Sequence, residues 1–147
     1  MERSEQERRA NSPSVEIRAP ADRHFITRFR KDSPSKRITT LIEPWVDVQG
    51  DIALIREGMA TRSFVEGAER YTVRGRTWQV KHPGGTLFPV AGDGFIVVDQ
   101  SVTVAMRAYA RYNGSNDQSE FFLDRQGVSD QARHVARRLW SLREQGA

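Results

Sequence analysis

The stretch Tyr71–Asp99, YTVRGRTWQVKHPGGTLFPVAGDGFIVVD, constrains the fold more than any other part of the chain. Its β-branched and aromatic residues fall in short runs divided by glycine-rich turns, and sequence with helical spacing flanks it on both sides. Turns this short cannot hold a helical crossover, so the strands must pair antiparallel. The expected architecture is α+β: N-terminal helices, a three- to four-stranded antiparallel meander, then two or three C-terminal helices.

Within the meander, Tyr71–Val73 and Arg76–Lys81 flank Arg74-Gly75, which reads as a tight hairpin turn. Pro83-Gly84-Gly85 and Ala91-Gly92-Asp93-Gly94 make the next turns around a strand over Thr86–Val90, where Pro89 argues for an edge or bulge. The apolar run Phe95–Val98 reads as a central strand.

Residues 1–20 are polar, mixed in charge and interrupted by prolines, and read as a disordered lead-in to a single domain over 21–147. Asp22 is placed to cap a helix with Phe25, Ile26 and Phe29 on one face, and Ser33-Pro34 to start a second with Ile38, Leu41 and Ile42 inward. A third helix is expected from Pro44, with Trp45, Val48, Ile52 and Ile55 as its stripe and Gly58 as its end. Residues 59–70 read as a loop. Beyond the meander, Asp99 or Ser101 caps a helix with Val102, Ala105, Met106, Tyr109 and Tyr112 in register, ended by Asn113-Gly114. A short helix around Phe121–Leu123 ends at Gly127, and Ser129 caps the last, with Ala132, Val135, Ala136 and Leu139 inward.

The absence of cysteine excludes disulfides, thiolate chemistry and cysteine-based zinc sites. The three histidines stand far apart without paired spacing, so neither a metal nor a cofactor is expected. The opening MERSEQERRANSPS lacks the apolar core of a signal peptide, and no run approaches the ~18 apolar residues of a membrane span. The cytoplasm is the expected location, with no membrane partner. Arginine outnumbers lysine 20 to 3, which a GC-rich bacterial genome produces as readily as selected chemistry does.

The net charge of +4 is unevenly distributed: +4 over residues 1–37, −3 over 38–124 and +3 over 125–147. Basic ends suit a polyanion. The candidate phosphate-contacting residues are Arg23, Arg28, Arg30, Lys31, Lys36 and Arg37 near the start, and Arg133, Arg137 and Arg138 near the end. Gly127-Val128-Ser129 imitates the turn of a helix-turn-helix, but Arg133 occupies a position that such a unit fills with an apolar residue. An amphipathic helix with a solvated basic face is the expected form.

A second chemistry centres on His82 with Lys81, Arg76, Arg74 and Tyr71. Metal-free RNA cleavage needs a base for the 2′-hydroxyl, an acid for the leaving oxygen and cations for the phosphorane charge. Histidine suits the proton transfers, arginine and lysine the charge, and tyrosine can donate a proton. Strand alternation sets Arg76, Trp78, Val80 and His82 on one face. Helices placed before an antiparallel sheet loosely resemble the layout of small metal-free bacterial ribonuclease toxins.

The expected function is therefore a small basic protein that binds nucleic acid or a partner protein without catalysis, a further copy of the chain included. The alternative is a small metal-independent ribonuclease using His82.

Overall fold

A computed structural model describes residues 3–146. In chain order the elements are helix α1 (Glu5–Ala10), two 3₁₀ turns (Asp22–His24 and Ile26–Arg28), strand β1 (Ile38–Ile42), helix α2 (Val48–Arg56), strands β2 (Thr61–Val65), β3 (Ala68–Val73), β4 (Arg76–Lys81), β5 (Thr86–Gly92) and β6 (Phe95–Asp99), and helices α3 (Gln100–Arg111), α4 (Asp117–Gln126) and α5 (Asp130–Gly146). The fold is α+β, with its strands in sheets of four and two. The chain divides into two compact units: Met1–Ala21 with Trp45–Phe95, and Asp22–Pro44 with Ile96–Ala147.

The first unit is built on the antiparallel meander β2-β3-β4-β5. Two two-residue turns set its register. Glu66-Gly67 joins β2 to β3 and Arg74-Gly75 joins β3 to β4, and all four residues have positive φ, the backbone that matches strand twist in a tight hairpin. The segment 59–70, expected as a loop, thus holds β2 and the start of β3. The whole of β2 except half-buried Arg62 is exposed, so it lacks the apolar alternation by which strands are recognised. Among the described residues no strand lies beyond β2, where Phe64 and Val65 stand exposed.

β3 and β4 alternate strictly, placing Glu69, Tyr71 and Val73 with Arg76, Trp78 and Val80 on the buried face. Tyr71 pairs across the strands with Trp78, and the Trp78 ring meets Phe95 edge-on at 4.8 Å. Helix α2 brings Val48, Ile52 and Ile55 to this core; Asp47 accepts from Gly50 N as its cap, and Trp45 lies outside the helix and exposed.

Residues 3–20 of the lead-in expected to be disordered are held in place instead. Ser4 caps α1, and Arg18 makes a parallel bridge to β5 through Arg18 N to Gly85 O at 2.9 Å and Leu87 N to Arg18 O at 3.0 Å. Gly85 permits that approach: a Cβ there would stand 1.8 Å from the Glu16 carbonyl oxygen. Ile17 is 1% exposed. One anchoring isoleucine in a polar segment is invisible to averaged hydrophobicity.

In the second unit the expected helix over 22–29 is a pair of 3₁₀ turns, still with Ile26 and Phe29 fully buried. The expected helix over 38–42 is β1. Its run Ile-Thr-Thr-Leu-Ile is dominated by β-branched residues that favour extended backbone, and strand alternation buries Thr39 and Leu41 while leaving Ile38, expected inward, exposed. β1 pairs with β6, so Phe95–Val98 is not the centre of the meander but half of a separate two-stranded sheet.

The C-terminal helices start and stop where their capping residues stand. Asp99 accepts from Val102 N, Asn116 and Ser119 form a capping box, Gly127 closes α4 in the left-handed conformation, and Ser129 Oγ accepts from Ala132 N. Met106, Tyr109, Leu123, Ala136 and Leu139 join Ile26, Phe29 and Leu41 in one core. No helix among the described residues is long and apolar enough to cross a membrane.

Candidate functional site

Four of the five residues proposed for catalysis divide between two buried carboxylates of the first unit, and Lys81 reaches neither. Tyr71 and His82 converge on Glu69, which strand alternation turns inward and leaves 1% exposed. Tyr71 OH and Ser14 Oγ each donate a short hydrogen bond to it, Ser14 N adds a third at 3.2 Å, and Arg62 Nε lies 3.5 Å away. His82 Nε2 stands 3.1 Å from Glu69 Oε1, with the imidazole side chain 43% exposed.

Burial pushes the Glu69 carboxyl up. The hydrogen bonds from Ser14 and Tyr71 and the charge of Arg62 outweigh that and hold it below the usual carboxylate range. Burial, and then the bond to Glu69, push the Tyr71 phenol up, so it stays protonated as a donor. An ionised carboxylate only accepts, so the 3.1 Å contact calls for a proton on His82 Nε2. A buried carboxylate orienting a half-exposed imidazole is the arrangement of a general base.

Arg74 and Arg76 do not join this group. Both bind Asp51, a fully buried residue of α2 that also accepts from Trp78 Nε1 at 2.9 Å. The positive-φ turn at Arg74 aims its side chain there, where Arg74 Nε meets Oδ1 at 2.8 Å. These cations are neutralised in place. Lys81 is exposed. Sequence reasoning missed both carboxylate centres; the alternation Glu69-Tyr71-Val73 would have exposed the first had β3 been extended back to residue 68.

The residues proposed for phosphate contact are equally divided. Arg28 pairs with Asp22 at 3.1 Å and covers the Phe25 ring, Arg30 lies 3.9 Å from Asp32, and Arg23 reaches His24 at 3.4 Å. Arg137 lies 3.5 Å from Glu120. Lys31, Lys36, Arg37 and Arg138 are exposed. Arg133 departs from the solvated basic face expected of α5: it is buried, donates to the Val128 carbonyl at 2.9 and 3.0 Å, and meets Asp124 at 2.8 Å. It fastens α5 to the end of α4, which is why an arginine outside the apolar stripe of α5 is nonetheless buried.

The second unit also holds a groove between two helix faces. Val104, Arg107, Ala108 and Arg111 recur at three- and four-residue steps along α3, and Gln118, Phe121, Phe122 and Arg125 do so along α4. They line adjoining hollows of about 410 and 200 Å³ that share Phe122 and Gln126, with Tyr112 at one end and Lys31 at the other. Phe121 is 63% exposed. The Arg125 guanidinium lies 6.0 Å from its ring centre, and that of Arg111 5.4 Å from Tyr112. Arg107 Nε donates to the Lys31 backbone carbonyl at 3.1 Å, which fixes the Arg107 guanidinium. No carboxylate among the described residues pairs with Lys31, Arg107, Arg111 or Arg125; Glu120 and Asp124 of α4 pair with Arg133 instead. Only Lys31 was expected here. The shared helical spacing of Arg107, Arg111, Phe121 and Arg125 is the signal that could have found the rest.

No protein-family model matches the chain, and neither a curated protein nor a solved structure matches it.

Proposed function

We propose that this chain binds nucleic acid through the cationic groove of its second unit. The observation that carries the reading is the set Lys31, Arg107, Arg111 and Arg125, four cations around one concavity with no carboxylate partner among the described residues. Unneutralised cations release counterions from a phosphate backbone, which supplies affinity irrespective of sequence. Paired residues such as Arg28 and Arg137 contribute less, because a carboxylate already offsets their charge. The test is fluorescence anisotropy of labelled RNA and DNA across a salt series. Affinity should fall steeply with salt, and Arg111→Gln with Arg125→Gln should weaken it and shallow the salt slope by about one per lost phosphate contact. No binding at low salt would refute the reading.

A second reading, a metal-independent ribonuclease, draws support from the 3.1 Å pairing of His82 with the buried Glu69 carboxylate. In it, His82 Nδ1 takes the 2′-hydroxyl proton and Lys81, exposed beside it in sequence, is the cation left free for the phosphate. Arg74 and Arg76 have no part in it, since Asp51 holds them.

A further inference from the structure

Resting on the nucleic-acid reading above, we infer that the groove between α3 and α4 selects single strands, stacking unpaired bases on Phe121 and Tyr112 while Arg111, Arg125, Arg107 and Lys31 hold the phosphates. Cations alone do not distinguish a single strand from a duplex or an acidic peptide. The aromatic walls do. Phe121 is 63% exposed although it stands on a well-capped helix that buries Leu123 two positions on, so its ring contributes little to the core and offers a free face. Tyr112 stands at the end of the same hollow, its ring 6.1 Å from that of Phe122.

Each of these rings carries its own guanidinium, Arg125 with Phe121 and Arg111 with Tyr112. A base laid on the ring therefore brings its phosphate within reach of a cation already in place. That coupling of stacking platform and charge is how sequence-tolerant single-strand binders work. A duplex buries its base faces and can use only the charges. An acidic peptide can likewise use the charges but offers no planar face to the rings. Gln118 and Gln126 on the same helix face can serve base edges as donor or acceptor, which suits loose rather than strict sequence preference.

The experiment measures the anisotropy of a short labelled single strand, the matching duplex and polyglutamate of similar length with the full chain at low salt, and repeats it with Phe121→Ala and Phe121→Tyr. The single strand should bind tightest. Phe121→Ala should weaken it about tenfold, the scale of one lost base stack, and leave the duplex unchanged, while Phe121→Tyr should restore it. A 2-aminopurine in the strand should be quenched by the wild type and not by Phe121→Ala. Because Phe121 is exposed, these variants keep the fold, which circular dichroism checks. Equal affinity for strand and duplex, indifferent to Phe121→Ala, would overturn the stacking inference and leave the polyanion reading standing. Polyglutamate binding as tightly as the strand would overturn both, as would no binding to any probe.

Discussion

Arg76 and Asp51 form a bidentate pair with Nε and Nη2 donating to the two carboxylate oxygens at 2.6 and 2.9 Å, and the two side chains are 4% and 0% exposed. One carboxylate thereby holds β4, the β3–β4 turn through Arg74, and the Trp78 indole to helix α2. Removing one partner from such a pair leaves a buried charge uncompensated. Asp51→Ala should therefore cost about 3–5 kcal/mol in urea unfolding, and Arg76→Met less, because its carboxylate keeps Arg74. A loss below about 1 kcal/mol for Asp51→Ala would contradict this account of the unit's core.

The N-terminal segment is predicted to matter. Ile17 is buried, Ser14 bonds Glu69 and Arg18 bridges β5, so a chain starting at Ala21 loses apolar burial and a buried carboxylate's donors together. Ile17→Ala alone should cost about 2–5 kcal/mol, and the truncation at least as much. An unchanged denaturation midpoint for the truncated chain would refute it.

Two steps are expected in stability as pH falls. Burial holds His24 below its ordinary 6.5, helped by the charges of Arg23 and Lys36 and opposed by the bond to the Thr40 carbonyl. The unfolded chain takes up that proton first, so His24's contribution is complete above pH 6.5 and is lost as pH drops through its folded value. Glu69 and Glu120, both held below 4.5, add a second loss beginning near that pH. His24→Gln should flatten the slope of unfolding free energy just below pH 6.5 and leave the acid step in place. An unaltered slope would locate the titrating group elsewhere.

For the ribonuclease reading, RNA cleavage in EDTA is the deciding assay. Positive outcomes should show loss of two orders of magnitude or more in His82→Ala, about the contribution of a general base, and a smaller loss in Glu69→Gln, which keeps the imidazole but no longer fixes its tautomer. Cleavage undiminished in His82→Ala would assign any activity to another group.

Much of the second unit was legible in the residues themselves, because Asp99, Gly127 and Ser129 act locally and the helices they bound obey one period. The same is true of Arg74-Gly75 in the first unit. What escaped notice depends on partners distant in sequence. β1 is a strand because β6 lies beside it, β2 is exposed and shows no alternation, and the lead-in is ordered by Ile17 and a glycine some seventy residues away, Gly85. Glu69 and Asp51 became visible as centres only when Ser14, His82, Arg76 and Trp78 were brought to them, at separations that no local pattern encodes.

The outer border of β2 has a consequence for handling the protein. A strand with no neighbour beyond it is a template for adding one, and exposed Phe64 and Val65 make that template adhesive. Two contacts work against it: the Arg62 N–H already donates to Asn11 Oδ1 at 2.9 Å, and the Arg62 guanidinium lies 4.9 Å from the Phe64 ring centre. Losing either contact would leave more of this margin open to a further strand, so the lead-in and the cation together bear on how the protein behaves when concentrated.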